Sequence, residues 1–164
     1  MRILEIDPGL ATMGWSILEA ENGKMKLIDV GALITYPEMN MPTRLMALSS
    51  GIRQLLTQYA PDEAAFEELF FAKNITTAFA VGQARGVAVC ACAEFGLPIY
   101  EYTPMQIKQA VAGYGLADKK QMQQMVKLTL GMDDIIRPDD AADAVAAAIT
   151  HASAGRAREQ FRMA

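Results

Sequence analysis

The spacing of apolar and polar residues along the chain predicts an α/β protein. Short apolar runs bounded by turn residues indicate five strands. The predicted strands cover residues 2–7, 13–19, 26–35, 63–67 and 99–102. Asn22 and Gly23 separate the second and third strands and are typical of a hairpin turn. Because three consecutive strands precede strands that alternate with helices, we expect a mixed five-stranded sheet flanked by helices.

Apolar residues at helical spacing predict five helices between and after the later strands. They cover residues 43–60, 76–95, 103–111, 119–130 and 139–153. Pro61 ends the first of these helices, and Gly96 with Pro98 ends the second. Together, the elements predict a single domain of residues 1–153. The tail of residues 154–164 is a candidate for disorder.

Composition adds limits on class and location. With 52% hydrophobic and 21% charged residues among 164, the chain has globular composition and is long enough to bury a core. It shows neither a signal peptide nor an apolar run that could span a bilayer, so we expect a cytoplasmic protein. Cys90 and Cys92 are expected to be reduced core thiols.

Four carboxylates indicate the chemistry. Asp7 and Glu67 end two predicted strands, while Asp140 and Asp143 begin the last helix. Acids that converge repel one another, and a fold tolerates them mainly when divalent cations lie between them. Mg²⁺ is the expected ion, and two such ions can activate a water and stabilise the leaving oxygen of a phosphodiester. The net charge of −4 argues only weakly against nucleic acid, because bound metal would neutralise these acids locally.

Each residue also has a structural explanation. Asp7, followed by Pro8 and Gly9, can simply lead a strand into a turn. Glu67 and Glu68 are adjacent, so only one of them can face a site on the sheet. Acids in a first helical turn complement the helix dipole, although Asp140 and Asp143, three residues apart, also share one face.

Two glycines and two phenylalanines have alternative explanations as well. Gly82 and Gly86 each cost a helix roughly 0.8–1 kcal/mol relative to alanine. Their spacing permits close approach of another helix, either within the core or from a second chain. Phe70 and Phe71 follow the glutamate pair, where an aromatic ring can fill the core or stack on an unpaired base.

Several sequence blocks together resemble the RuvC family of Holliday junction resolvases. They are MRILEIDPG at residues 1–9, FEELFFAKN at 66–74, GQARG at 82–86, YEYTP at 100–104 and DDAADA at 139–144. The resemblance extends over residues 1–153, in order. It implies a ribonuclease H-like fold and a homodimer that nicks two opposed strands of a four-way DNA junction. It also implies cooperation with the RuvA and RuvB branch-migration complex.

The resemblance assigns roles to individual residues. Asp7, Glu67, Asp140 and Asp143 would be the catalytic acids that hold two Mg²⁺ ions per subunit, and hydrolysis would leave 5′-phosphate and 3′-hydroxyl ends. Phe70 would stack on DNA, and Lys108 and Lys119 would lie near the cleaved phosphate. Gly82 and Gly86 would belong to the dimer interface.

The chain departs from the family pattern at Glu5, where we expect glycine, and at Leu116, where arginine is common. Glu5 either supports metal binding from behind the ligands or is an acid with no catalytic role. A ribonuclease H-like enzyme for structured RNA, an actin-like nucleotide-binding protein and a non-catalytic junction scaffold are the alternative functions. The actin-like class would need a second glycine-rich phosphate turn and a larger chain.

Overall fold

A central sheet with helices on both faces forms the protein in a computed structural model, which describes residues 1–68 and 75–163. The strands are β1 (Arg2–Asp7), β2 (Thr12–Glu21), β3 (Lys24–Ile34), β4 (Glu63–Glu67) and β5 (Ile99–Tyr102). The helices are α1 (Met41–Tyr59), α2 (Ile75–Glu94), α3 (Pro104–Ala112), α4 (Lys119–Leu130) and α5 (Asp139–Ser153). None of the described helices is long and apolar enough to cross a membrane.

The strands lie in the order β3-β2-β1-β4-β5. β1, β2 and β3 are antiparallel, whereas β4 runs parallel to both β1 and β5. The predicted mixed sheet is therefore confirmed. Helix α1 begins two residues before its predicted start, because the Asn40 side chain accepts a hydrogen bond from the Thr43 amide at 2.9 Å and caps the helix.

Alternation along the strands divides the core between two helical layers. Leu4, Ile6 and Phe66 pack in the cluster that includes α1 and α2. Ile3 and Ala65 pack with α3, α4 and α5. Because side chains two residues apart on a strand share a face, the odd-numbered residues of β1 and β4 face α5. All the acids of these two strands are odd-numbered, so they lie beneath that helix.

Helix α5 approaches the sheet closely because its own residues are small and one residue beneath it has no side chain. Six alanines of α5 are buried, and a Cβ atom built on Gly14 would lie 2.3 Å from the Asp140 carbonyl oxygen. Two residues along β2, the Ser16 hydroxyl donates a hydrogen bond to the Ala144 carbonyl at 3.2 Å. Gly14 is paired with Asp7 across the strands, so the start of α5 lies over the end of β1.

A buried polar cluster fixes the other end of α5. His151 is fully buried, with Nε2 2.7 Å from a Glu63 carboxylate oxygen and Nδ1 2.7 Å from the Tyr102 hydroxyl. Arg158 donates to the other Glu63 oxygen at 3.1 Å. Burial is the main cause that lowers the pKa of His151, although Glu63 opposes it. His151 therefore acts in packing and hydrogen bonding.

Two expectations differ from the structure. The C-terminal tail is ordered over its described residues, since Gly155–Phe161 form a 3₁₀ helix and Arg162 makes an antiparallel bridge with Tyr100. Hydrophobic contact with β5 and the Glu63 ion pair explain this order, and neither is visible as a periodic pattern. Of the two cysteines, Cys92 is a core thiol as expected, but Cys90 is exposed.

Candidate metal centre

Three acids come together where the end of β1 meets the first turn of α5. One carboxylate oxygen from each of Asp7, Asp140 and Asp143 lies within 4.8 Å of the other two. Asp140 and Asp143 are on the helix face turned toward the sheet, and Asp7 is the last residue of the strand below. The described chain thus brings together three of the four acids predicted from sequence, at a separation that one divalent cation can bridge.

Glu67 joins this group from the neighbouring strand. It ends β4, which runs parallel to β1, and it shares a face with Ala65, a residue of the core cluster under α5. Glu68 is exposed, and its amide donates a hydrogen bond to the Tyr102 carbonyl at 2.9 Å. The choice between the two adjacent glutamates, which strand alternation left open, therefore favours Glu67.

Burial and mutual repulsion raise the pKa values of these carboxyl groups. For Asp7, burial is the largest cause and the charges of Glu67, Asp143 and Asp140 add to it, so its pKa rises to about 8. Burial and Asp143 raise the pKa of Glu67 to about 7, against the opposing charge of Lys108. The Asp143 pKa is also raised, first by burial, although Lys119 opposes the shift.

A fifth acid lies on the same face, below Asp7. Glu5 has no exposed surface, and within the described residues neither of its carboxylate oxygens has a hydrogen-bond partner. Burial raises the pKa of Glu5 well above its ordinary value, and the charges of Asp7, Glu67 and Asp143 raise it further. The structure therefore excludes a solvent-facing side chain for Glu5.

A cleft of about 300 Å³ opens beside the acids. Glu67 and Asp143 form part of its wall, and Lys108 and Lys119 line it as well. The Lys119 ammonium lies 3.3 Å from an Asp139 oxygen and 3.4 Å from an Asp143 oxygen. The cleft therefore offers cations for a phosphate group next to carboxylates for a metal ion, and both lysines predicted from sequence lie there.

The position of Lys119 depends on a helix cap that the sequence analysis missed. Asp118 accepts a hydrogen bond from the Gln121 amide at 2.8 Å, and the Gln121 side chain accepts one from the Asp118 amide at 2.9 Å. This capping box starts α4 at Lys119 and so fixes the backbone of that residue beside the cleft. The spacing of an aspartate and a glutamine three residues apart was the signal that could have identified it.

The remaining predicted site residues lie elsewhere. Gly82 and Gly86 are on α2, which covers the opposite face of the sheet from α5. A Cβ atom built on either glycine would have no neighbour within 4 Å among the described residues. Packing among the described residues therefore does not require either glycine. Phe70 lies outside the described residues.

This arrangement of side chains defines a class of enzyme. Converging acids at the edge of a mixed sheet, under a closely packed helix and beside a cleft that two lysines line, are the features of a metal-dependent nuclease. The sequence model of the family described as crossover junction endodeoxyribonuclease RuvC matches residues 3–151. The chain belongs to that family.

Relatives and solved structures agree with this membership. The chain is 58% identical over 161 residues to the crossover junction endodeoxyribonuclease RuvC of Chloroflexus aurantiacus, and the match covers 98% of each chain. A RuvC of Brevibacillus brevis is 50% identical over 93% of this chain and 92% of its own length. A structure of Thermus thermophilus RuvC in complex with a Holliday junction substrate superimposes with a TM-score of 0.90 at 32% identity, over 99% of this chain and 100% of that one. The ribonuclease H-like resolvase fold expected from the sequence is confirmed.

The raised pKa values predict how the stability of the metal-free protein depends on pH. Between the ordinary carboxyl range and pH 8, the folded state holds protons on Asp7 and Glu67 that the unfolded state has lost. The contribution of these two groups to the free energy of unfolding is therefore fully present at low pH and is lost as the pH rises through 7 and 8. In EDTA, we expect the thermal midpoint of Asp7→Asn to fall less than that of the wild type between pH 6 and pH 8.

The difference between the two proteins should amount to several degrees, since about 1 kcal/mol moves the midpoint of a domain of this size by roughly 2–4 °C. His151 titrates with the opposite sign, because its pKa is lowered, but it is present in both proteins and its contribution cancels. Parallel midpoint curves for wild type and Asp7→Asn would contradict the electrostatic account of the site.

Proposed function

We propose that this protein resolves Holliday junctions by paired, metal-dependent nicks in two opposed strands, in DNA recombination and repair. The observation that carries the proposal is the convergence of Asp7, Asp140 and Asp143 within 4.8 Å, with Glu67 beside them. Membership of the RuvC family supports four-way junction DNA as the substrate, because a family member of known structure is in complex with a Holliday junction. We also assign the protein to the cytoplasm.

The donor set fits hard divalent cations. Carboxylate oxygens from β1, β4 and α5 converge, and the buried oxygens of Glu5 behind them lack partners within the described chain. Oxygen ligands of this kind suit Mg²⁺, and we assign two Mg²⁺ ions to Asp7, Glu67, Asp140 and Asp143. When bound, a pair of such ions lowers the pKa of water and neutralises charge on a phosphodiester.

The side chains around the ions have separate tasks. Asp7 lies between the acids of β4 and α5 and would hold metal together with both. The Lys119 ammonium lies beside Asp143 at the cleft and would hold a phosphate oxygen of the bound strand. Lys108 lies on the Glu67 side of the cleft and would hold the DNA strand at the side of the cleft opposite Lys119. Lys108 and Lys119 would together orient the phosphate for in-line attack by water. The cleavage would leave 5′-phosphate and 3′-hydroxyl ends.

The symmetry of the substrate and an exposed face of α2 both support a homodimer. A four-way junction presents two equivalent strands, and two sites related by a twofold axis can address both. On α2, Phe79, Gly82 and Gly86 share one face, and Phe79 is 72% exposed. Since neither glycine is required by packing within the described chain, their cost to the helix is explained by close approach of the partner's α2.

We assign two further contacts to this assembly. Phe70 follows the catalytic glutamate by three residues and would stack on an unpaired base at the crossover. The RuvA and RuvB branch-migration complex would deliver the junction. Both assignments come from the family to which the chain belongs.

The test of the proposed function compares four substrates with Mg²⁺: a mobile four-way DNA junction, linear duplex DNA, an RNA hairpin and ATP. We expect symmetric nicking of the junction, which Asp7→Asn, Glu67→Gln, Asp140→Asn and Asp143→Asn each abolish. These variants should still shift the junction in a gel, since they remove metal ligands and leave the DNA-binding surface intact.

Glu68→Gln is the matched control, because Glu68 neighbours Glu67 but is exposed, and it should cut at a rate near that of the wild type. Preferential consumption of the RNA hairpin would replace the proposed substrate with structured RNA. Cleavage by any of the four acid variants at a rate near wild type would remove that residue from the ligand set.

Lys119 lines the cleft and lies 3.4 Å from Asp143. Lys119→Ala should lower the single-turnover cleavage rate by about 10²–10³-fold, the usual effect of removing one group that stabilises charge in a transition state. Lys120→Ala changes the next, exposed residue of the same helix and should have little effect. Equal losses in the two variants would mean that Lys119 contributes only general positive charge.

The face of α2 that carries Phe79, Gly82 and Gly86 is the proposed dimer interface. Gly86→Leu should shift the wild-type dimer toward monomer, because a leucine side chain forces the paired helices apart, and sedimentation velocity measures the change. Gln124→Leu adds the same side chain to an exposed position of α4, on the other side of the sheet, and should remain dimeric. A monomeric wild type would refute the interface.

A further inference from the structure

Glu5 is a buried acid that the proposed ligand set does not use. It lies in the middle of β1 with Ser16 of β2 and Ala65 of β4 as its neighbours across the sheet. The Ser16 hydroxyl donates its hydrogen bond to the Ala144 carbonyl of α5, so it does not donate to the Glu5 carboxylate. Within the part of the chain that the structure describes, both Glu5 oxygens are buried without a partner.

A carboxylate in that position calls for an explanation. A buried polar group without a hydrogen bond costs about 1–3 kcal/mol, and more if it is charged. An apolar side chain or glycine at the same place would avoid this cost. The charged groups that act on Glu5 are the acids Asp7, Glu67 and Asp143, so the described chain gives a Glu5 carboxylate no cation to pair with.

We infer that Glu5 is a fifth carboxylate of the cation site, whose charge supports the metal ligands from behind and so tightens the binding of divalent metal. Glu5 and Asp7 share a strand face and lie roughly 6.5–7 Å apart along it. The glutamate side chain is one methylene longer than that of aspartate, which extends its carboxylate from β1 toward the acids above. The inference rests on the cation site of the proposed function, and it gives Glu5 a positioning role.

Glu5 is suited to that role because it is shielded from solvent. A negative charge in a low-dielectric environment attracts a nearby cation more strongly than an exposed charge does. Glu67 and Asp143 line the cleft, whereas Glu5 has no exposed surface. Its effect should therefore fall on metal affinity, with no direct effect on substrate binding.

The experiment measures Mg²⁺ binding without DNA. Thermal midpoints of the metal-free full-length protein are followed as Mg²⁺ is added, and the concentration for half of the maximal stabilisation is compared between wild type and Glu5→Gln. We expect this concentration to rise about 10-fold in Glu5→Gln, as for other residues that support metal ligands from behind. Glu5→Asp retains the charge and should recover part of the loss.

Glu63→Gln is the matched control. Glu63 is also a buried acid on this face of the sheet, but it lies at the far end and binds His151 and Arg158. Its substitution should lower the midpoint equally with and without Mg²⁺, as a purely structural role would. If Glu5→Gln does not fold, Glu5→Gly takes its place in the same titration.

Two results would overturn the inference: superimposable Mg²⁺ curves for wild type and Glu5→Gln, or a wild type that Mg²⁺ does not stabilise at all. Junction cleavage by the wild type, measured in parallel, separates this outcome from failure of the proposed function. If the wild type cuts the junction while the two curves coincide, Glu5 alone is wrongly assigned.

Discussion

Electrostatic repulsion among carboxylates is the constraint on which the rest of this structure depends. The five acids Glu5, Asp7, Glu67, Asp140 and Asp143 lie close together on one side of the sheet, where burial reduces the shielding that water would give. The fold accepts this arrangement at a cost, because burial and neighbouring charges raise the pKa values of Asp7 and Glu67. Cations remove it, so binding of metal and stability of the site are two aspects of the same balance.

The packing of α5 makes the convergence possible. A helix with ordinary side chains would lie about 10 Å from a sheet, too far for Asp140 and Asp143 to meet Asp7. Alanines along α5 and the absent side chain of Gly14 reduce that distance. At the other end, the bonds of His151 to Glu63 and Tyr102 prevent the helix from sliding. The geometry of the acids is thus set by residues that carry no catalytic chemistry.

Much of the fold could be predicted from local pattern. β4, β5 and α5 begin and end at the predicted residues, because Pro61, Pro98 and Pro138 limit where each element can extend. Asp7, Asp140 and Asp143 could be grouped because the end of a strand and the start of a helix are local features. Glu67 could not be separated from Glu68 by local reasoning alone, since the register of β4 against β1 is a tertiary property.

Other features depended on contacts between residues far apart in the chain. The role of Gly14 depends on Asp140, more than 120 residues later, and no pattern near Gly14 indicates it. Likewise, the inward orientation of Glu5 follows from the register of β1 against β2 and β4. The order of the tail depends on Arg158 meeting Glu63 and on Phe161 packing against Tyr102, with ring centroids 4.9 Å apart.

The tail also changes the outer boundary of the sheet. β5 is an edge strand, and unpaired edge strands invite pairing with strands of other molecules and aggregation. In this protein the Met163 amide donates to the Ile99 carbonyl at 2.8 Å, and Arg162 pairs with Tyr100. A chain truncated after α5 would keep every acid and every lysine of the cleft, yet it would expose this backbone edge. Residues 155–163 thus cover a backbone edge that would otherwise be open to pairing with a strand of another molecule.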